Sequence, residues 1–234
     1  KDKIVMGPER KSAVMREDER RNTAYHESGH AVVAKLLPKA DPVHKVTIMP
    51  RGMALGLTWQ LPEHDRVNMY KDKMLEDIAI LFGGRIAEEI FMNQMSTGAS
   101  NDFERATKLA RAMVTRFGMS ESLGTMVYED TDQDSYFGRM SSKTVSEATQ
   151  QKVDNEIRSI LDQQYALSRS LLERNRDKVE LMAKSLLEWE TIDADQINDI
   201  MEGRDPRPPK AGSPPARPSD GSTGGGVEPA TAPA

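Results

Sequence analysis

TAYHESGHAVVAKLLP, residues 23–38, decides the reading of this chain. Tyr25, Gly29, Val32, Val33, Leu36 and Leu37 recur at helical spacing, and Pro38 stops the pattern, so the stretch predicts an amphipathic helix. On that helix His26 and His30 are four apart. Their rings share one face, with Cβ atoms about 5–6 Å apart, a separation at which two imidazole nitrogens can grip one small cation. Glu27 is displaced by roughly 100° around the helix. It can reach a water at the cation without being a ligand, take its proton during attack on a polarised carbonyl, and pass it to the leaving amine. His-Glu-x-x-His is the zincin pattern. Two histidines can also share a helix with no metal between them. Gly29 argues otherwise: glycine inside a helix costs about 1 kcal/mol against alanine, which implies a neighbour that needs the space.

A catalytic zinc site has three protein ligands and one open position, and the third ligand has several candidates. The metzincin extension requires glycine at position 33 and histidine at 36, where this chain has Val33 and Leu36. His44 alternates with Val43 and Lys45 on a predicted strand and reads as solvated, and His64 lies in a polar loop. Glu88 or Glu89, downstream on a helix, would resemble the thermolysin arrangement. Asp102, just behind STGASN, is the other option, although aspartate in a first helical turn is favoured by the helix dipole alone. Spacing leaves this choice open.

Outward from the motif, VHKVTIM (43–49) and LGLTWQL (55–61) predict two strands of a hairpin or small sheet. MYKDKMLEDIAILFGGRIAEEIFM (69–92) predicts a helix in which Gly83-Gly84 allows a kink or a close contact. NDFERATKLARAMVTRFG (101–118) predicts another, closed by Gly118. Residues 119–142 read as an ordered loop or irregular hairpin. A long amphipathic helix follows from Lys143 to about Arg174, and a shorter one runs through Leu187. A last helix starts at Asp193, where Asp-Ala-Asp-Gln has the form of a capping box. The fold class is mainly α, with a metal-binding helix and a small β-sheet.

Three zones are expected: a charged connector (1–22), a folded unit (23–202) and a polar tail (203–234). The tail holds eight of the 13 prolines and a single large aliphatic, Val227, too little apolar surface to offset the entropy of ordering. The 234 residues carry a net charge of −5, which gives no electrostatic case for nucleic acid, and no cysteine, which rules out disulfides and thiolate metal sites. No apolar run approaches the roughly 18 residues of a membrane span, so any anchor would lie outside this sequence.

HESGHAVVAKLLPKADPVHKVTIMPRG, followed by ALGLT, GGRIAEEI, STGASNDFERAT and FGMSESLG, resembles the peptidase domain of the FtsH family, the membrane-anchored, ATP-dependent AAA+ zinc metalloproteases. The similarity covers about residues 1–202 and not the tail; KDKIVMGPERKS resembles the join from the AAA+ module. The resemblance implies one zinc per chain on His26, His30 and Asp102, with Glu27 as catalytic base. It implies a six-fold homo-oligomeric ring and extended or unfolded polypeptide substrates, drawn from membrane and cytoplasmic proteins. These substrates would add to a sheet edge, for which 55–61 is the natural strand. It places the working protein at the cytoplasmic face of a bacterial inner membrane, or an organelle equivalent. This sequence has no G-x-x-x-x-G-K-[ST] phosphate loop, so ATP would bind only in an upstream module. A different class of function keeps the fold without the chemistry: an assembly module whose helices over 143–201 make partner contacts.

Overall fold

A computed structural model describes residues 15–50, 55–61, 68–128 and 145–209. The first helix, α1 (Glu17–Leu36), carries the motif. It begins earlier than its apolar period, within the zone expected to be a connector. Glu17, Asp18 and Glu19 suit the positive end of a helix, and the Glu19 carboxylate accepts from the Arg16 backbone N–H at 3.2 Å. Tertiary contact then holds the charged turn: the Arg20 guanidinium donates to Leu187 O at 2.6 Å and pairs with Glu190 at 3.6 Å. Leu37, ahead of Pro38, is extended and ends the helix. Every residue from Glu27 to Ala34 is buried, so α1 is the central helix of the molecule and not a surface one with a single apolar face.

Strands β1 (Val43–Thr47) and β2 (Leu57–Gln60) form an antiparallel pair in which Val46 faces Thr58 and Thr47 faces Leu57. Helix α2 (Lys71–Ala87) follows, its last turn widening into a π turn over Glu88–Met92. A 3-10 turn (Thr97–Ala99) leads directly into α3 (Ser100–Thr115). Helices α4 (Glu147–Arg174) and α5 (Arg176–Trp189) are separated at Asn175. A third strand, β3 (Thr191–Asp193), was absent from the sequence expectation; it pairs antiparallel with β1, Val46 facing Ile192. The sheet order is β2-β1-β3, which leaves β2 at an edge among the described residues. The last helix, α6 (Ala194–Met201), starts at the expected capping box, with Asp193 Oδ1 accepting from the Gln196 N–H and Gln196 Oε1 accepting from the Asp193 N–H.

Helices α1 and α2 touch backbone to backbone. A Cβ on Gly29 would lie 2.2 Å from Gly83 O, and one on Gly83 would lie 2.7 Å from Gly29 O. The glycine pair in α2 therefore serves the close contact. Around it the core is filled by Val32, Val33, Ile78, Ile86, Met113 and Leu186. Gly118 has φ of +61° and turns the chain out of α3 as expected. Residues 119–128 form a loop with one bridge between Ser120 and Gly124; the remainder of that expected loop lies outside the described residues. The tail expectation shifts at its start. Residues 203–209 pack back on α6: the Arg207 side chain donates to Asp199 Oδ2 at 2.6 Å and Oδ1 at 2.8 Å, and Gln196 Nε2 donates to Arg207 O at 3.0 Å. Ion pairing, not apolar burial, holds this stretch, and a hydrophobicity argument does not register it. Residues 210–234 lie outside the described residues. Among the described residues no helix is long and apolar enough to cross a membrane.

Candidate metal centre

The helical spacing of α1 brings the two histidines together as expected: His26 Nε2 and His30 Nε2 are 3.0 Å apart. Asp102, in the first turn of α3, reaches the same point, with Oδ2 at 3.3 Å from His26 Nε2 and 3.5 Å from His30 Nε2. These three side chains form a group whose ligand atoms lie within 4.8 Å of one another.

The other edge of each ring is held. His30 Nδ1 is 2.7 Å from Ile80 O, an acceptor only, so Nδ1 donates that bond and Nε2 is the nitrogen turned to the centre. His26 Nδ1 is 2.8 Å from Glu88 Oε1. Glu88 is 1% exposed, and its carboxylate also accepts from Ser96 N–H and Oγ, each at 2.9 Å, and from Asn22 Nδ2 at 3.3 Å. Burial works against a charged His26 ring, but the bonds to Asp102 and Glu88, with the charge of Glu27, overcome it and carry the imidazole up to about 10. Burial likewise pushes the Asp102 carboxyl up, and the bonds from His26 and His30 reverse this, holding it well below the usual carboxylate range. Glu88 is shifted down by the same balance, with His26 and Ser96 outweighing burial. The point where the three side chains meet thus favours positive charge.

The backbone of α2 shapes this point. A Cβ on Gly84 would lie 2.5 Å from His26 Cε1 and 2.6 Å from Nε2 of both histidines. Glu27 is buried, and its Oε2 accepts from Thr58 Oγ1 at 2.7 Å. The centre lies in an open cleft whose apolar lining includes Leu55, Leu57, Met69, Leu81 and Phe117.

The other candidates for third ligand stand elsewhere. Glu88 meets His26 at Nδ1, the wrong edge for a shared cation. Glu89, one position on in the π turn, points away, accepting from Tyr165 OH at 2.7 Å and Arg169 Nη1 at 3.0 Å. His44 is exposed on β1, edge-on to Trp59 with ring centres 5.1 Å apart. His64 lies outside the described residues. Sequence reasoning missed Gly84 and Thr58 as partners of the motif. The bare Gly-Gly pair in an apolar helix is the one signal that could have pointed to the first.

Residues 13–200 match the model of peptidase family M41. The chain belongs to that family. The matched span takes in all of α1, Asp102, the three strands and nearly all of α6. Among M41 relatives, the chain is 74% identical over 235 residues to the ATP-dependent zinc metalloprotease FtsH of Cupriavidus metallidurans, covering 100% of this chain and 36% of that protein. The proteins of the same name from Myxococcus xanthus and Acidobacterium capsulatum are 49% and 51% identical, over 92% and 95% of this chain and 35% and 34% of theirs. The M41 chain therefore spans about a third of the length of these relatives.

Proposed function

We propose that this chain is the zinc endopeptidase part of an ATP-dependent, membrane-anchored protease, and that His26, His30 and Asp102 hold the zinc. The observation that carries the reading is the meeting of His26 Nε2, His30 Nε2 and Asp102 Oδ2 within 3.0–3.5 Å. The donor set fits: two imidazole nitrogens and one carboxylate are a three-ligand set that leaves a fourth position open. The cradle fits as well, since Gly84 withholds the one atom that would fill the place where the nitrogens converge.

Zinc bound there would supply Lewis acidity, polarising the scissile carbonyl and acidifying the attacking water. The protein's own residues do the rest. Glu88 and Ile80 O fix the ring orientations through Nδ1, so that both Nε2 atoms stay aimed at one point. Glu27, on the next position of the same helix, takes the proton of the attacking water and delivers it to the leaving amine. The edge strand β2 runs beside Glu27 and can accept an extended polypeptide by main-chain pairing. Backbone pairing recognises the extended state and not particular side chains, which suits unfolded segments of membrane and cytoplasmic proteins.

The relatives' names carry ATP dependence, and their greater length leaves room for a motor and an anchor. We place those parts, and nucleotide binding, outside residues 1–234. On this reading the chain works as one of six copies in a ring on the cytoplasmic face of a bacterial inner membrane. Cleavage of an unstructured peptide by the zinc-loaded chain tests the chemistry. Glu27→Gln is expected to lower kcat by about 10²–10⁴-fold with fold and bound zinc intact. Cleavage by that variant at the parental rate would remove Glu27 from its role.

A further inference from the structure

Strand β2 does more at this site than offer an edge. Gly56, the residue just before the strand, and Thr58 within it are two apart, and both meet Glu27. A Cβ on Gly56 would lie 2.7 Å from Glu27 Cγ and from Oε1, so the strand backbone comes against the glutamate only because residue 56 has no side chain. Thr58 supplies the polar contact. Its hydroxyl donates to Glu27 Oε2 at 2.7 Å, with Glu27 O 3.1 Å from the same oxygen. Thr58 is itself fixed opposite Val46 in the sheet.

We propose that Thr58 is a positioning residue for Glu27, holding one carboxylate oxygen so that the base stays aimed at the reacting water. The role rests on the proposed function. A glutamate has three rotatable side-chain bonds, and a general base must keep its carboxylate within hydrogen-bond reach of the proton it takes. Packing against Gly56 restricts the stem, and the Thr58 hydroxyl restricts the head. The same strand is the edge to which an extended substrate would add. Register along β2 therefore sets the base and the scissile bond against one common frame.

The experiment compares the zinc-loaded parental protein with T58V, T58S, E27Q and the T58V/E27Q double variant. Cleavage of an unstructured fluorogenic peptide gives kcat and KM, alongside bound zinc and Tm. Valine keeps the β-branched shape the strand needs and removes only the hydroxyl. T58V is expected to lose about 10–100-fold in kcat, the usual cost of removing a group that orients a functional side chain. KM and bound zinc stay at parental values. T58S keeps the hydroxyl and restores kcat to within about threefold of the parent, as a retained hydrogen bond requires. T58V adds no further loss in the E27Q background, because residues acting as one unit are not additive. An unchanged kcat in T58V, a T58S variant as slow as T58V, loss of zinc in T58V, or a further fall in the double variant would each overturn the positioning role while leaving the peptidase reading in place. No cleavage by the zinc-loaded parent would overturn the peptidase reading, and this role with it.

Discussion

Glu88 Oε1 lies 2.8 Å from His26 Nδ1 while Asp102 Oδ2 lies 3.3 Å from Nε2 of the same ring, so one imidazole is held between two carboxylates at opposite edges. The two acids have different work. Asp102 stands where a cation would be shared; Glu88 stands behind the ring and orients it.

Substitution separates these roles. Glu88→Gln keeps the shape of the buried side chain and some of its hydrogen bonds, so the fold should persist. Zinc affinity, measured by competition with a chelator, is expected to fall by about 10–100-fold, as for other partners of metal-ligating histidines. Asp102→Ala removes a proposed ligand and is expected to fall further. Equal affinity in Glu88→Gln and the parent would show that Glu88 does not orient the site.

Two glycines on facing helices should fail differently. Gly29→Ala drives a Cβ to 2.2 Å from Gly83 O, a backbone atom that cannot step aside. It should cost at least the 1–3 kcal/mol or so of an overpacked core, read as a lower Tm. Gly84→Ala meets the rings of His26 and His30, side-chain atoms whose displacement breaks their Nδ1 bonds and not the contact between the helix backbones. Its main loss should therefore be bound zinc, with a smaller change in Tm.

Glu89 serves as a control. Tyr165 donates to it, and burial together with the Glu89 bond and charge pushes the Tyr165 hydroxyl up to about 12. Tyr165→Phe is expected to destabilise the protein by about 1 kcal/mol, a typical hydrogen-bond contribution. Glu89→Gln should leave bound zinc at its parental value. Zinc loss in Glu89→Gln would return Glu89 to the list of ligands.

The contact that pins residues 203–209 gives a pH dependence. The side-chain bond from Arg207 outweighs the opposing effect of burial and, with the Arg207 backbone N–H and the arginine charges, holds the Asp199 carboxyl below its ordinary value. A carboxyl depressed in the folded state contributes stability that is present above its unfolded pKa, about 3.9, and is lost as pH falls toward the folded value. The unfolded chain takes up the proton first. Asp199→Asn should flatten the slope of stability against pH below about 4 relative to the parent, in denaturant titrations at matched ionic strength.

Much of the site was legible because it is local. A four-residue spacing on a helix sets the His26–His30 pair without any tertiary knowledge, and the capping box at Asp193 is equally local. Gly29 was a sound pointer because its cost demanded a close neighbour, though not which one. The remainder depends on how elements are placed. Asp102 lies 76 positions from His26, and only the packing of α3 against α2, which carries Asp102 to the histidines of α1, chooses it over Glu88. Thr58 lies on a different element from Glu27, and no periodicity links them. Strand β3 is three residues long, too short to carry an alternation. The first turn of α1 is charged, and it is held by Arg20 reaching Leu187, a contact that local propensity does not contain.

The central claim is that residues 26, 30 and 102 form a zinc site, and bound metal tests it most directly. Elemental analysis of the purified protein should find one zinc per chain, and the Asp102→Ala variant, still folded, should lose most of it. A folded parent that carries no zinc and takes up none from a modest excess would contradict the account, leaving the chain an M41 fold without the chemistry proposed for it.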